Sequence, residues 1–96
     1  MAFGVCAAWA ADTVTVSQSR RVFDPPQIDI VRGTTVRFVN DDGRLLHQVY
    51  TSSPTFSFDS GEQKPGATVE ARFDKPGTFT VLCGIHPKMR LSVTVR

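Results

Sequence analysis

The sequence predicts an all-β fold arranged as a two-sheet β-sandwich. No stretch of the 96 residues carries apolar side chains at sustained helical spacing. Instead, short runs alternate apolar and polar residues, and turn-forming residues stand between them. Many short strands in a chain of this length are typical of a sandwich, in which each sheet buries one face against the other.

The individual strands are placed by these alternating runs and by the Pro, Gly and Asp residues between them. We expect strands at Thr13–Ser17, Gln27–Val31, Thr34–Asn40, Leu45–Tyr50, Thr68–Asp74, Thr78–Cys83 and Arg90–Val95. The intervening turns are predicted at Asp24-Pro25-Pro26, Arg32-Gly33, Asp41-Asp42-Gly43, Lys64-Pro65-Gly66 and Lys75-Pro76-Gly77. Since no repeat or linker interrupts the pattern, residues 11–96 are expected to form one domain.

Strand alternation also predicts which side chains face the core, because residues two apart on a strand share a face. The predicted core-facing rows are Val36, Phe38 and Asn40; Val69, Ala71 and Phe73; Phe79, Val81 and Cys83; and Leu91, Val93 and Val95. Asn40 either begins a turn or holds neighbouring segments together. Cys83 is expected to place a thiol inside one end of the sandwich.

The first ten residues, Met1–Ala10, carry no charge and end in Ala8-Trp9-Ala10, a small-x-small pattern that signal peptidase cuts after. We interpret residues 1–10 as the remnant of a secretory signal peptide, with an apolar first strand as the alternative. Ten residues are too few for a membrane-spanning helix, so no membrane insertion is expected after leader removal. The expected location is the periplasm or the extracellular medium.

Charge and cysteine content narrow the function further. A net charge of +2, with Lys and Arg scattered along the chain, does not favour nucleic-acid binding. The two cysteines, Cys6 and Cys83, would form a disulfide in one interpretation. If the leader is removed, Cys83 is a solitary thiol in an exported protein, and a bound metal would protect it from oxidation.

The chemistry of the chain is concentrated in the motif C-x-x-H-x-x-M, formed by Cys83, His86 and Met89. The other histidine, His47, lies far upstream beside a predicted strand. Each residue alone has an ordinary structural explanation, but together they offer a thiolate, two imidazoles and a thioether for one site. This soft donor set favours a single copper ion, because two His and one Cys with a weak Met ligand are typical of electron-transfer copper. Structural zinc normally takes four Cys or His ligands, which the chain does not offer here.

These residues resemble the cupredoxin family of type 1 blue copper proteins, and the short loop after Cys83 looks most like the amicyanin and plastocyanin-like branch. The resemblance also includes the segments Gly33–Asp41, Phe58–Gly61, Pro65-Gly66 and Phe73–Phe79. It implies a Greek-key β-sandwich, copper ligands His47, Cys83, His86 and Met89, and periplasmic electron transport. The family usually has Ser or Thr after the cysteine, bonded to the Asn that Asn40 is taken to match, whereas this chain has Gly84.

Electron transfer is the predicted function, and we expect the protein to be a monomer and not an enzyme. Redox partners would dock briefly near His86, which is expected to be exposed within an apolar ring of Ile85, Pro87, Leu45 and Leu46. An acidic partner would be favoured by Arg44, Lys64, Lys88 and Arg90, unless these side chains are simply solvated.

The alternative function is a copper carrier or sensor that delivers the metal. A Cys-His hydrolase would need a substrate cleft, for which the sequence gives no sign.

Overall fold

The protein folds into two β-sheets, seen in a computed structural model that describes residues 12–96. The strands are β1 (Thr13–Ser19), β2 (Val22–Asp24), β3 (Gln27–Ile30), β4 (Thr34–Asn40), β5 (His47–Ser52), β6 (Ser57–Gln63), β7 (Thr68–Phe73), β8 (Gly77–Leu82) and β9 (Arg90–Val95). One sheet has the order β2-β1-β4-β7 and the other has the order β3-β9-β8-β5-β6. Both sheets are mixed, because β1 pairs with β4 and β3 with β9 in parallel. The predicted all-β, two-sheet sandwich is confirmed.

The core lies between the two sheets and consists of the inward-facing rows of their strands. Val36 and Phe38 from the first sheet, and Val81, Leu91 and Val93 from the second, are almost completely buried in one apolar cluster. The alternation of side chains on each strand produces these rows, and removal of their apolar surface from water drives the sheets together. The predicted rows are confirmed, although Val69 is only half-buried.

Two strands were not predicted from the sequence, β2 and β6. Both lie at the edge of a sheet, and β2 has only three residues, too few to show an alternating pattern. Strand β6 has only one large apolar side chain, Phe58, and contains Gly61. The start of β5 also differs from the prediction: Leu45 and Leu46 belong to the loop between β4 and β5, and the strand begins at His47.

The interpretation of Met1–Ala10 as a leader, with its alternative of a first strand, concerns residues outside those described. The same holds for a Cys6 to Cys83 disulfide. Within residues 12–96, the structure contains no helix with the length and apolar character needed to cross a membrane.

Candidate metal centre

Cys83 directly follows strand β8 and continues its core-facing row. The side chain is buried, with 1% of its surface exposed, as the row of Phe79 and Val81 predicts. Its sulfur accepts a hydrogen bond from the backbone N–H of Gln48 at 3.3 Å. The sulfur of a cysteine binds metals as the thiolate.

His47 is the first residue of β5 and is completely buried. The loop before it is held by Asn40, whose amide nitrogen donates to the carbonyls of Leu45 at 2.9 Å and Gln63 at 3.0 Å. The amide oxygen of Asn40 accepts the N–H of Asp42 at 3.0 Å, which forms a local turn. Asn40 therefore does both things considered from the sequence: it begins a turn and it joins neighbouring segments.

Asp42 fixes the orientation of the His47 ring. Its carboxylate accepts a hydrogen bond from Nε2 of His47, and its second oxygen accepts the backbone N–H of Arg20 at 3.0 Å. Because a carboxylate can only accept, Nε2 of His47 carries the proton and Nδ1 presents a lone pair. A histidine that binds a metal through one ring nitrogen commonly donates the N–H of its other ring nitrogen to a carboxylate.

His86 and Met89 come from the loop between β8 and β9. The N–H of Met89 donates to the carbonyl of His86 at 2.9 Å, so these residues form a tight turn. Met89 is buried, with 1% of its surface exposed, whereas His86 is partly exposed. The loop thus directs one of its potential ligands to the surface and the other to the interior.

Three of the four predicted ligands are brought together around a common point. Nδ1 of His47 lies 3.3 Å from Nδ1 of His86, and the Cys83 sulfur lies 3.7 Å and 3.9 Å from these two nitrogens. The centre of this triangle is about 2.1 Å from each atom, close to the usual lengths of metal–nitrogen and metal–sulfur bonds. Two imidazole nitrogens this close need a proton or a cation between them. The cluster of His47, Cys83 and His86 therefore has the composition and size of a metal site. Met89 as fourth ligand stays a prediction.

The charges around the cluster favour neutral His86 and ionised Asp42. The pKa of His86 is lowered, first by its partial burial and then by its electrostatic interactions with His47 and with the Arg21 guanidinium. Burial of Asp42 acts to raise its pKa, but the hydrogen bonds from His47 and Arg20 outweigh this effect and the pKa is lowered. A neutral imidazole has a lone pair to offer a metal, and the ionised carboxylate accepts the proton of His47.

Gly84 has no side chain to bond Asn40, as the sequence indicates. Asn40 bonds Leu45, Gln63 and Asp42, whereas the side chain that lies against Gly84 is that of Gln48. Asp42 and Arg21 were not predicted as neighbours of the histidines, since both resemble ordinary turn or surface residues in the sequence. The only signal for Asp42 was a carboxylate five positions before His47.

Comparison with known proteins identifies structures similar to this one. No protein-family model matches the sequence. A copper-containing nitrite reductase from Thermus scotoductus SA-01 is 30% identical with a TM-score of 0.80; the match covers 88% of this chain but only 22% of the reductase. A purple cupredoxin from Nitrosopumilus maritimus is 23% identical with a TM-score of 0.76, and the match covers 86% of this chain and 99% of the cupredoxin. A mutant of amicyanin in the Cu(I) state is 23% identical with a TM-score of 0.79, and the match covers 94% of this chain and 89% of amicyanin.

Proposed function

This protein has the cupredoxin fold with an amicyanin-like architecture, and we propose that it is a blue-copper electron carrier. The observation that carries the proposal is the triangle of the His47, Cys83 and His86 donor atoms, in which His47 and Cys83 are buried and His86 is partly exposed. One copper ion would be held by these three residues and by Met89, and it would supply a Cu(I)/Cu(II) couple for single electrons. A thiolate with two imidazoles and a thioether suits both oxidation states.

Hydrogen bonds that hold the metal-binding side chains in place support electron transfer as the function of the site. His47 is held by Asp42, and the Cys83 sulfur accepts the Gln48 N–H at 3.3 Å. Side chains held in place by the protein do not have to rearrange when an electron arrives or leaves. For the same reason, we propose that the metal stays in the protein and is not delivered to a partner.

We propose that the chain is a carrier and not an enzyme. Four protein donors would leave no free position at the metal for a substrate, whereas a catalytic metal site keeps one open. The similarity to a nitrite reductase does not change this proposal, because the present chain spans 22% of that protein.

His86 is the proposed point of entry for the electron. It is the partly exposed member of the cluster, and its chain neighbour Ile85 is 39% exposed. Leu46, the residue before His47, is 37% exposed. Arg21 and Lys88 line the same shallow depression as His86, Ile85 and Pro87. An apolar surface with two cations at its edge suits brief docking of an acidic redox partner.

The partner proposal is tested by electron-transfer rates with small redox reagents of opposite charge. Lys88→Glu should slow oxidation by the anionic hexacyanoferrate(III) and speed oxidation by a cationic cobalt(III) phenanthroline complex. Lys75→Glu makes the same charge change in the turn before β8, at the opposite end of that strand from Cys83, and serves as the control. Equal rates in the two variants would contradict docking beside His86.

The metal site is tested by adding Cu(II) to the metal-free protein. We expect an intense blue or violet colour from charge transfer between the Cys83 sulfur and the metal, and Cys83→Ser should abolish it. Cys6→Ser, which removes the other thiol of the chain, should keep it. A colourless copper complex would contradict the proposed type of site.

Retention of the metal is tested by adding a chelator that competes for Cu(I). Rapid loss of Cu(I) to the chelator would favour a copper carrier over an electron carrier.

For the location of the protein we propose the periplasm or the extracellular medium. The proposal is supported by the uncharged segment Met1–Ala10 and its cleavage pattern. If the segment is a leader, the exported protein should begin at Ala11 when its amino terminus is sequenced.

A further inference from the structure

Gln48 contacts the start of the ligand loop through both its backbone and its side chain. Its N–H donates to the Cys83 sulfur at 3.3 Å. Its side-chain amide lies against Gly84, where a Cβ atom would stand 2.2 Å from Oε1 and 3.0 Å from Cδ of Gln48. Heavy atoms do not approach a Cβ this closely. A side chain at position 84 would therefore displace the Gln48 amide.

The backbone ladder between β5 and β8 is too short to hold this part of the loop. The two strands are paired at Tyr50 of β5 and Leu82 of β8. Cys83 and Gly84 come directly after it, where strand pairing has ended. At these two positions, the contacts from Gln48 take the place of the ladder.

A β-bulge positions Asp59, which accepts a hydrogen bond from the side-chain amide of Gln48. The register between β5 and β6 shifts between Gln48 and Tyr50, and Gly61 of β6 has a left-handed backbone with φ of 70°. The N–H of Gly61 donates to Oδ1 of Asp59 at 2.8 Å, and Nε2 of Gln48 donates to the same oxygen at 3.0 Å. Bulges redirect side chains next to functional sites, and this one brings Asp59 within reach of Gln48.

We propose that Gln48 is a positioning residue for Cys83, and that position 84 is glycine because the Gln48 amide occupies the space of a side chain. The amide would be fixed between Gly84 and Asp59, so the backbone that carries the Cys83 sulfur is held against β5 and β6. The inference rests on the proposed function only in taking Cys83 as a metal ligand. The contact between Gln48 and Gly84 involves protein atoms alone and does not depend on which metal, if any, Cys83 binds.

Gly84→Ser is the variant that tests this proposal, with Gly43→Ser as the matched control. A Cβ at Gly43 would meet no atom within 4 Å, so the control adds the same side chain without a collision. The displaced atoms in Gly84→Ser belong to the end of a flexible side chain, and we therefore expect the loss of the Gln48 contact without unfolding. The double variant Gln48→Asn with Gly84→Ser shortens the side chain by one methylene and should remove the collision.

The first measurement is the rate at which iodoacetamide labels Cys83 in the metal-free protein, read by peptide mass spectrometry so that Cys6 is counted separately. Labelling should be several-fold faster in Gly84→Ser, unchanged in Gly43→Ser and near the native rate in the double variant. Gln48→Ala, which removes the amide and leaves Gly84 intact, should also label faster. These variants report on the contact even if Gly84→Ser fails to fold.

The second measurement is the energy of the sulfur-to-copper charge-transfer band after Cu(II) is added. We expect a shifted band in Gly84→Ser and a return toward the native band in the double variant. Native labelling rates in both Gly84→Ser and Gln48→Ala, or a double variant no closer to native than Gly84→Ser, would overturn the proposal. A native protein without a charge-transfer band would refute the blue-copper site, but the labelling rates would still decide the role of Gln48.

Discussion

The carboxylate of Asp42 accepts the Nε2 proton of His47, while Nδ1 of the same ring lies 3.7 Å from the Cys83 sulfur. Nε2 of His47 is thus hydrogen-bonded within the protein, and Nδ1 can bind a metal. Asp42 is itself held by the backbone N–H of Arg20 at 3.0 Å, which ties the turn between β1 and β2 to the metal site. The orientation of His47 therefore depends on the loop directly before it and, through Asp42, on a turn at Arg20 that lies far from it in sequence.

Asp42→Asn should weaken copper binding, because a neutral amide is a poorer acceptor for the His47 proton than a carboxylate. We expect a loss of affinity of about tenfold, measured by competition with a chelator. Loss of a nearby negative charge should also raise the reduction potential. Asp41→Asn removes the same charge one residue earlier, where the carboxylate bonds Ser17 and not His47. Equal effects in both variants would contradict a specific role for Asp42.

Asn40→Ala should destabilise the protein and the site together. The substitution removes the donor for the Leu45 and Gln63 carbonyls and the acceptor for the Asp42 N–H. Leaving such buried groups unsatisfied costs about 2 to 3 kcal/mol in the free energy of unfolding, measured by urea denaturation. Since Asn40 holds the loop before His47, copper affinity should fall as well. Native affinity in this variant would mean that the loop keeps its conformation without Asn40.

Met89→Gln should keep the colour of the copper complex but lower the reduction potential, because a harder axial ligand favours Cu(II). Met89→Leu, which keeps the apolar character of this buried position and removes the sulfur, should shift the potential in the opposite direction. Cyclic voltammetry of the two variants measures both shifts. Potentials equal to that of the native protein would show that Met89 does not contact the metal.

Arg21→Gly should stabilise the fold and impair docking. Ser19 pairs with Val22, so Arg20 and Arg21 form a two-residue turn, and both have a left-handed backbone with φ of 54° and 61°. This conformation costs a residue other than glycine about 1 kcal/mol, which glycine avoids. Thermal unfolding should occur at a higher temperature, while oxidation by hexacyanoferrate(III) becomes slower because a cation beside His86 is lost. Arg20→Gly relieves the same backbone conformation but keeps Arg21, so it should stabilise without slowing the reaction.

The fold was largely predictable because its main determinant is local. Alternation of apolar and polar residues located β1, β4 and β7 to β9 and identified the rows of Phe38, Val81 and Leu91 as core. Strands β2 and β6 escaped prediction because β2 has only three residues and β6 has a single large apolar side chain, Phe58, so neither shows a clear alternation.

The sequence by itself determined the two-sheet architecture, the inward orientation of Cys83 and the composition of the donor set, since each follows from strand alternation or from the kinds of residue present. Only the tertiary structure decided that His47, 36 positions from Cys83, lies within 3.7 Å of its sulfur. It also decided that Asp42 binds the far side of the His47 ring, that Gln48 fills the space at Gly84 and that Arg21 stands beside His86. These relationships join residues from different strands and turns, so their distances are set by how the two sheets pack and not by any local pattern in the chain.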